Sequence, residues 1–402
     1  MFRASDFNQV DIRNNGFGDD FNRAVNNCRA QGATLPGTGD PLFRCTNAGF
    51  NAAIPGSVPL TVFPNLGGGG LLTNATILGQ IQGGVPADLA VTYIINALTG
   101  TVKFNPNPNI FVADELYNGA FFKYHSLQAE VRRRFANGLW LNANYTFEKE
   151  LTNGQGTAQS RVEAFLDNAQ PQLEVARADY DQAHVFNFTS IYELPFGRGK
   201  KFLGGSGNWL DRLVGGWEVT SIVRWATGAP ISFVDARGTL NRAARSGRQS
   251  PVTALTKDQL KAITGVYRTA NGIFFIDPTV AGRNADGTIA SGQTGRLANG
   301  WATTFPGEVL FNDNPGTTSG LERAFLNGPT FFNLDSSIIK NIKINETMRI
   351  QLRGEFYNVL NHTQFGTPAG GQFISVNSST SYSITSLATA ARISQFAIRF
   401  EF

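Results

Sequence analysis

The sequence predicts an all-β chain, an antiparallel transmembrane β-barrel segment of about eight strands. Three observations lead to this prediction. Several segments alternate apolar and polar residues with a period of two. They run for about 10–13 residues, whereas globular strands are most often about 5–6 residues long. Short and long connections alternate along the chain, as periplasmic turns and extracellular loops do in such barrels.

The composition fits this class. The 402 residues include 44 glycines and 32 phenylalanines. Charged residues make up 16% of the chain, against about 25% in an ordinary soluble domain. The net charge of +4 is spread along the sequence, so nucleic acid, which selects a concentrated basic face, is not an expected partner. No apolar run reaches the roughly 18 residues of a membrane helix.

The first residues, "MFRASDFNQV", lack the apolar core of a signal peptide. We therefore expect either a cytosolic chain or a sequence whose true N-terminus is missing.

The clearest predicted hairpin joins "KYHSLQAEVRRRF" to "LWLNANYTFEKE". Leu127, Val131 and Phe135 share one face of the first segment. Asn137-Gly138 supplies the turn, because these two residue types tolerate the positive φ angles that tight turns need.

Five further segments show the same alternation and predict five more strands. They are "HVFNFTSIYEL", "GWEVTSIVRWATG", "FFNLDSSIIKN", "TMRIQLRGEFYNV" and the terminal "ARISQFAIRFEF". An eighth strand is predicted at Ala4 to Ile12.

We assign residues 1–402 to one barrel unit whose long external loops cover about 13–119, 152–182, 229–329 and 361–390. Brief helices are expected in these loops. Pro86 to Leu98 begins with a proline in its first turn, and Thr256 to Thr264 begins with a capping threonine.

Alternation alone also fits a soluble β-sandwich. Trp217 and Trp225 favour the membrane, because they share a face of one strand about 26 Å apart, close to the height of the apolar band between two aromatic girdles. The opposite faces are rich in ions, which we expect to pair across strands around a polar lumen. These ions are Glu130, Arg132, Arg134, Glu148, Arg224, Arg349, Arg353, Glu355, Arg399 and Glu401.

Two motifs, "LPFGRGK" at 194–200 and "FYNVLNHTQFG" at 356–366, carry a resemblance to a known family. Together with the strand segments, they resemble the C-terminal barrel of TonB-dependent receptors, most closely the Oar-like transporters of acidobacterial type. The resemblance covers most of residues 1–12 and 115–402. It implies substrate uptake across the bacterial outer membrane, without a cofactor.

The resemblance also implies that the chain is the C-terminal part of a larger barrel of about 22 strands. The plug and the TonB box of such receptors have no match in the sequence, so contact with the TonB complex is expected only through a missing N-terminal region. Outer-membrane lipid and lipopolysaccharide are the expected surroundings. The alternative is a small non-energised barrel, acting as a porin or an adhesin.

The last strand places Phe396, Ile398, Phe400 and Phe402 on one face. A terminal phenylalanine after such alternation resembles the signal that the barrel-assembly machinery recognises, so this machinery is an expected partner.

Other candidate sites are less specific. Arg237, Arg242, Arg245 and Arg248 lie in one external loop and could bind an anionic ligand or lipopolysaccharide phosphates; a solvated loop is the alternative. Cys28 and Cys45 predict a disulfide that closes a surface loop, with two free thiols as the alternative. The three histidines show no metal-binding spacing, and we expect no enzyme activity.

Overall fold

The computed structural model describes residues 2–4, 8, 10–35, 44–110, 114–116, 118–154, 166–167, 170–235, 237, 249–280, 309–310, 314–318, 320–368, 373–376 and 382–402. Within these ranges the strands are β1 (Phe2–Ala4), β2 (Asp114–Leu116), β3 (Phe122–Ala136), β4 (Leu139–Thr152), β5 (Ala176–Arg177), β6 (His184–Glu193), β7 (Trp217–Ala226), β8 (Pro230–Val234), β9 (Thr264–Thr269), β10 (Gly272–Ile276), β11 (Leu326–Asn327), β12 (Phe331–Lys343), β13 (Arg349–Tyr357), β14 (Phe373–Ser375) and β15 (Ile393–Glu401). The helices are α1 (Phe17–Thr34), α2 (Ala75–Gly83), α3 (Pro86–Ile95), α4 (Asn208–Val214) and α5 (Lys257–Ala262).

The main sheet contains the seven strands that hairpin and alternation patterns in the sequence predict between residues 122 and 402. Its order is β15-β13-β12-β7-β6-β4-β3, and each of these neighbours pairs antiparallel with the next. In the part of the chain that the structure describes, the sheet stays open, with β3 and β15 at its edges. An open, all-antiparallel sheet of long strands is the geometry of a partial barrel.

The β3–β4 hairpin turns where the sequence predicts it. Asn137 and Gly138 both have positive φ angles, of 53° and 78°. The turn at Asn137-Gly138 fixes the register, which places Leu127 opposite Phe147 and Val131 opposite Ala143. One face of the hairpin is therefore apolar along its length.

The prediction of an eighth strand of the main sheet at Ala4 to Ile12 is wrong. Phe2–Ala4 pairs with Asp114–Leu116 in a separate two-stranded sheet. Val10 and Ile12 instead pack in an apolar core formed by helices. The short strand β5, beside the end of β4, is the eighth member of the main sheet.

The first predicted loop, 13–119, contains a helical unit with its own core. Rings of Phe17, Phe63, Tyr93 and Phe104 pack together there, with the centroids of Phe17 and Phe104 4.9 Å apart. Asp20 is fully buried, and its carboxylate accepts hydrogen bonds from the backbone N–H groups of residues 61 to 63 at 2.8–3.1 Å. These bonds replace the hydration that a buried carboxylate loses.

The structure joins Cys28 to Cys45 in a disulfide, with the two Cα atoms 5.0 Å apart. Our expectation of a surface loop around this pair is wrong, because Cys28 lies in α1 and both cysteines are buried in the helical core. The bond therefore links α1 to the segment at 44–50.

The loops at 229–329 and 361–390 also fold together. β8 pairs with β11 and, in parallel, with β14, while β9 and β10 form a separate hairpin. Their apolar side chains form a second core, which we call the outer-loop core; it includes Ile231, Phe233, Leu260, Phe275, Ile374 and Tyr382. None of the described helices is long and apolar enough to cross a membrane.

Candidate functional site

The main sheet, which we call the wall, has one face whose apolar side chains are largely exposed. Leu127 keeps 65% of its surface exposed, Phe396 76% and Ile398 78%. Exposure of apolar surface to water costs about 25 cal/mol per Å², and a continuous face of such residues is far larger than the scattered apolar side chains of a soluble surface. This face therefore suits contact with lipid.

Aromatic residues lie at the long-loop end of the apolar face, that is, the end at which the strands continue into the long loops. The ring of His184 packs against Phe147 at 5.0 Å, Tyr145 at 6.1 Å and Trp225 at 6.2 Å between centroids. The Tyr145 hydroxyl also lies 2.7 Å from Nδ1 of His184. Sequence reasoning assigns no role to His184; its place among these rings makes it part of the aromatic girdle.

Trp217 lies at the opposite end of the same face, the short-turn end, where short connections join β3 to β4, β6 to β7 and β12 to β13. The Lys340 Nζ lies 5.3 Å from the centroid of the indole ring, a cation–π contact. Lys340 also donates a hydrogen bond to the carbonyl of Gly215. A lysine whose stem lies on an apolar face and whose ammonium reaches its edge is typical of a membrane boundary.

The other face of the wall is polar. One row crosses five strands in register: Glu130, Asn144, Asn187, Arg224 and Asn333. Its side chains are joined to the next row, since Asn142 donates to Glu130 Oε1 at 3.0 Å and Asn144 donates to Asn142 Oδ1 at 2.7 Å. Such a continuous polar surface suits the lining of a hydrated lumen.

Ion pairs continue this lining toward the short-turn end. Glu401 pairs with Arg349 across β13 and β15, and with Arg399 at 3.0 Å. Arg353 pairs with Glu355 at 3.3 Å. Five of the ten charges that the sequence places on this face are thus paired, partly across strands and partly along them.

The predicted arginine cluster is only partly within the described residues. Arg237 is buried and its guanidinium pairs with Asp235, whose Oδ1 also accepts the backbone N–H of Arg237 at 3.0 Å. Its charge therefore stabilises the base of the loop. Arg242, Arg245 and Arg248 lie outside the residues that the structure describes.

A cavity of about 610 Å³ opens between the outer-loop core and residues 356–366, which form the rim of the sheet. Its walls include the rings of Phe275, Phe325 and Phe365, and its polar groups include Lys261, Arg268 and His362. The guanidinium carbon of Arg268 lies 5.0 Å from the Phe365 ring centroid. Its volume falls within the range of ligand pockets, about 300–1,000 Å³. Aromatic walls with exposed cations suit a small anion that carries an apolar group.

Sequence reasoning missed this cavity because its walls come from three separate loop segments. Nearby, burial raises the pKa of the Tyr267 phenol, and the carboxylate of Asp277 raises it further. Tyr267 therefore stays neutral at physiological pH and adds no negative charge beside Arg268. Among the described residues, no group of three His, Cys, Asp or Glu side chains could hold a metal ion.

The motif "FYNVLNHTQFG" forms the rim of the sheet. The Asn358 amide accepts from the backbone N–H of His362 at 2.9 Å and donates to its carbonyl at 3.0 Å, closing a turn. Gln364 accepts from the backbone N–H of Phe332 at 3.0 Å and donates to the carbonyl of the same residue. The motif thus satisfies the backbone groups of Phe332 near the start of β12, beyond Ser336 and Phe356, the last described pair between β12 and β13 at this end.

The motif "LPFGRGK" closes the turn between β6 and β7. Gly197 has a φ of 107°, and a Cβ atom there would lie 2.6 Å from the Cα of Gly215. Its N–H donates to the carbonyl of Phe202 at 3.0 Å. Only glycine fits both the angle and the close approach.

These two faces, the aromatic ends and the rim motifs define an outer-membrane β-barrel protein. A family model described as outer membrane beta barrel domain matches residues 48–395. The chain belongs to this family, and its location is the bacterial outer membrane. No curated protein and no solved structure matches the chain significantly.

Proposed function

We propose that this chain is the barrel portion of a TonB-dependent transporter of the Oar-like type, which takes up a substrate across the outer membrane. The observation that supports this proposal most is the polar wall, on which side chains of five neighbouring strands stand in register from Glu130 to Asn333. A barrel used only as an anchor has no need of so continuous a polar face.

The folded outer loops support the same proposal. A transporter must bind its substrate outside the membrane before the substrate enters the lumen, and binding residues are commonly held on loops that a rigid scaffold positions. The cavity beside Arg268 lies at this end of the sheet, between the outer-loop core and the rim.

Its further partners follow from the same resemblance. Lipid and lipopolysaccharide would surround the apolar face. The barrel-assembly machinery would recognise β15, and contact with the TonB complex would be made by a region N-terminal to residue 1.

Uptake by a deletion mutant of the native organism tests the proposal. Wild-type and mutant cells are grown in a complex extract, and mass spectrometry follows which compounds disappear from the medium. We expect at least one compound to be removed by wild-type cells only, and its removal to stop when an ionophore collapses the proton gradient. Removal that is slower in the mutant but unaffected by the ionophore would identify a passive porin instead. Identical depletion by both strains would refute uptake.

A further inference from the structure

The turn between β6 and β7 carries an exposed apolar patch beside the apolar wall. α4 places Trp209 and Leu213 four residues apart, on one face of the helix. Trp209 keeps 74% of its surface exposed and Leu213 64%. Phe202 and Leu203, in the preceding loop, are also about half exposed. No described residue covers this patch, and an exposed apolar patch of this kind is typical of a surface that contacts a membrane or a protein.

The patch is continuous with the lipid-facing wall. The indole N–H of Trp217 donates to the carbonyl of Leu213 at 3.1 Å, so α4 lies against the aromatic residue that ends the apolar face. A groove of about 370 Å³ extends from Trp217 and Lys340 along the apolar face to Phe396 and Ile398. The same surface therefore runs without a break from the membrane-spanning strands onto the turn.

The charges around the patch are mostly positive. The turn at 194–216 holds four cations, Arg198, Lys200, Lys201 and Arg212, against one carboxylate, Asp211, while Glu193 ends β6 just before it. Glu193 is already paired with Lys200 at 2.7 Å. Asp211 is turned inward, where it accepts the backbone N–H of Arg198 at 2.5 Å. The charge left for an outside partner is positive.

Arg212 and Lys201 keep this charge next to the apolar side chains. Arg212 donates to the carbonyl of Ile344, in the neighbouring β12–β13 turn, at 3.3 Å. The ammonium of Lys201 lies 5.5 Å from the ring of Phe202. Exposed tryptophan and leucine beside lysine and arginine are the composition of helices that lie in a membrane interface.

We propose that residues 194–216 form an interfacial anchor that binds phospholipids with anionic headgroups. Trp209 and Leu213 enter the layer between headgroups and acyl chains, and Lys201, Arg198 and Arg212 contact the phosphates. The leaflet is the one at the short-turn end, which in outer-membrane barrels is the periplasmic leaflet. The anchor requires only the barrel, so it stands whether or not the barrel transports a substrate.

Fluorescence of the full chain reconstituted into vesicles tests the anchor. The vesicles contain phosphatidylethanolamine and phosphatidylglycerol, with a trace of lipid that carries a nitroxide on its headgroup. Subtracting the emission of the Trp209→Phe variant from that of the parent chain isolates Trp209. We expect the nitroxide lipid to remove most of this emission and aqueous iodide to leave most of it. The matched control is Trp140→Phe, since Trp140 lies on the polar face; its difference emission should be insensitive to the nitroxide.

A second set of measurements tests whether the anchor prefers anionic headgroups. Replacing phosphatidylglycerol by phosphatidylcholine, or combining Arg198→Ser, Lys201→Ser and Arg212→Ser, should reduce the quenching of Trp209. Added salt should reduce it as well, because the Debye length falls from about 10 Å at 0.1 M to about 3 Å at 1 M. Emission from Trp209 that iodide quenches and the nitroxide lipid does not would overturn the anchor and leave a protein partner as the occupant. Quenching that is equal in all lipids would overturn the choice of anionic headgroups.

Discussion

The Tyr145 hydroxyl lies 2.7 Å from Nδ1 of His184, across the pairing of β4 and β6. Their rings also stack, with an angle of 24° between the planes. The histidine is thus held by one hydrogen bond and by three aromatic neighbours at the membrane boundary. His184→Ala should lower the free energy of unfolding by about 1–3 kcal/mol, since a hydrogen bond and aromatic contacts are lost together.

Urea unfolding of the reconstituted chain measures this loss. Tyr145→Phe is the matched control, because it keeps the ring and removes only the hydroxyl; about 1 kcal/mol is the expected cost. Equal losses in the two variants would mean that ring packing around His184 contributes nothing.

A charge on the apolar face should be costly. Ile338→Lys places an ammonium near the middle of β12, on the face that contacts lipid, and should cost about 2–4 kcal/mol. Gln395→Lys is the matched control on the polar face, because Gln395 lies opposite Glu355. The yield of heat-modifiable protein in outer membranes measures both. Similar yields for the two variants would contradict the assignment of the faces.

The disulfide should stabilise the helical unit without affecting the wall. Cys28 and Cys45 are separated by 17 positions, and closing a loop of this size is worth about 3 kcal/mol. Replacing both by serine should therefore raise amide hydrogen exchange in α1. Exchange in β12 serves as the internal control and should not change. Unchanged exchange in α1 would show that the helical core holds without the bond.

The cavity at the rim should bind a small aromatic carboxylate. Benzoate is a suitable probe, and Arg268→Ala should weaken its binding about 10- to 150-fold, as expected for the loss of one charge-assisted hydrogen bond of about 1.5–3 kcal/mol. Lys257→Ser is the control, since Lys257 lies on α5 but pairs with Glu322 outside the cavity. Ligand-detected NMR titration gives the affinities, and equal affinities for the two variants would exclude the cavity as the binding site.

Deletion of Phe402 should reduce assembly. Phe402 is 93% exposed, and its ring lies 5.9 Å from that of Phe400 on the apolar face. If the assembly machinery recognises this strand, the deletion variant should form less heat-modifiable barrel in cells. The Phe402→Tyr variant keeps the ring and should assemble normally. Normal assembly of the deletion variant would contradict the role of this C-terminal strand as the recognition signal.

The sequence was sufficient to predict the seven long strands, because a half-apolar strand repeats every two residues whatever surrounds it. The two predicted helices also form, as α3 and as α5 with its capping box at Thr256. α1 was missed because several asparagines, glycines and charges interrupt its apolar residues, and contacts with distant segments stabilise it: Phe17 packs against Phe104, Asp20 accepts backbone hydrogen bonds from residues 61 to 63, and Cys28 is bonded to Cys45. The outer-loop core and the cavity depend on contacts between segments far apart in the chain, for which periodicity gives no signal.

The order of the main sheet has a consequence for its closure. Six antiparallel steps separate β3 from β15, so the two edge strands point in the same direction. Hydrogen bonding them directly would create a parallel seam. A second copy in the same membrane orientation would not help, because it offers edges of the same polarity. An entirely antiparallel ring can therefore be completed only with an odd number of additional strands.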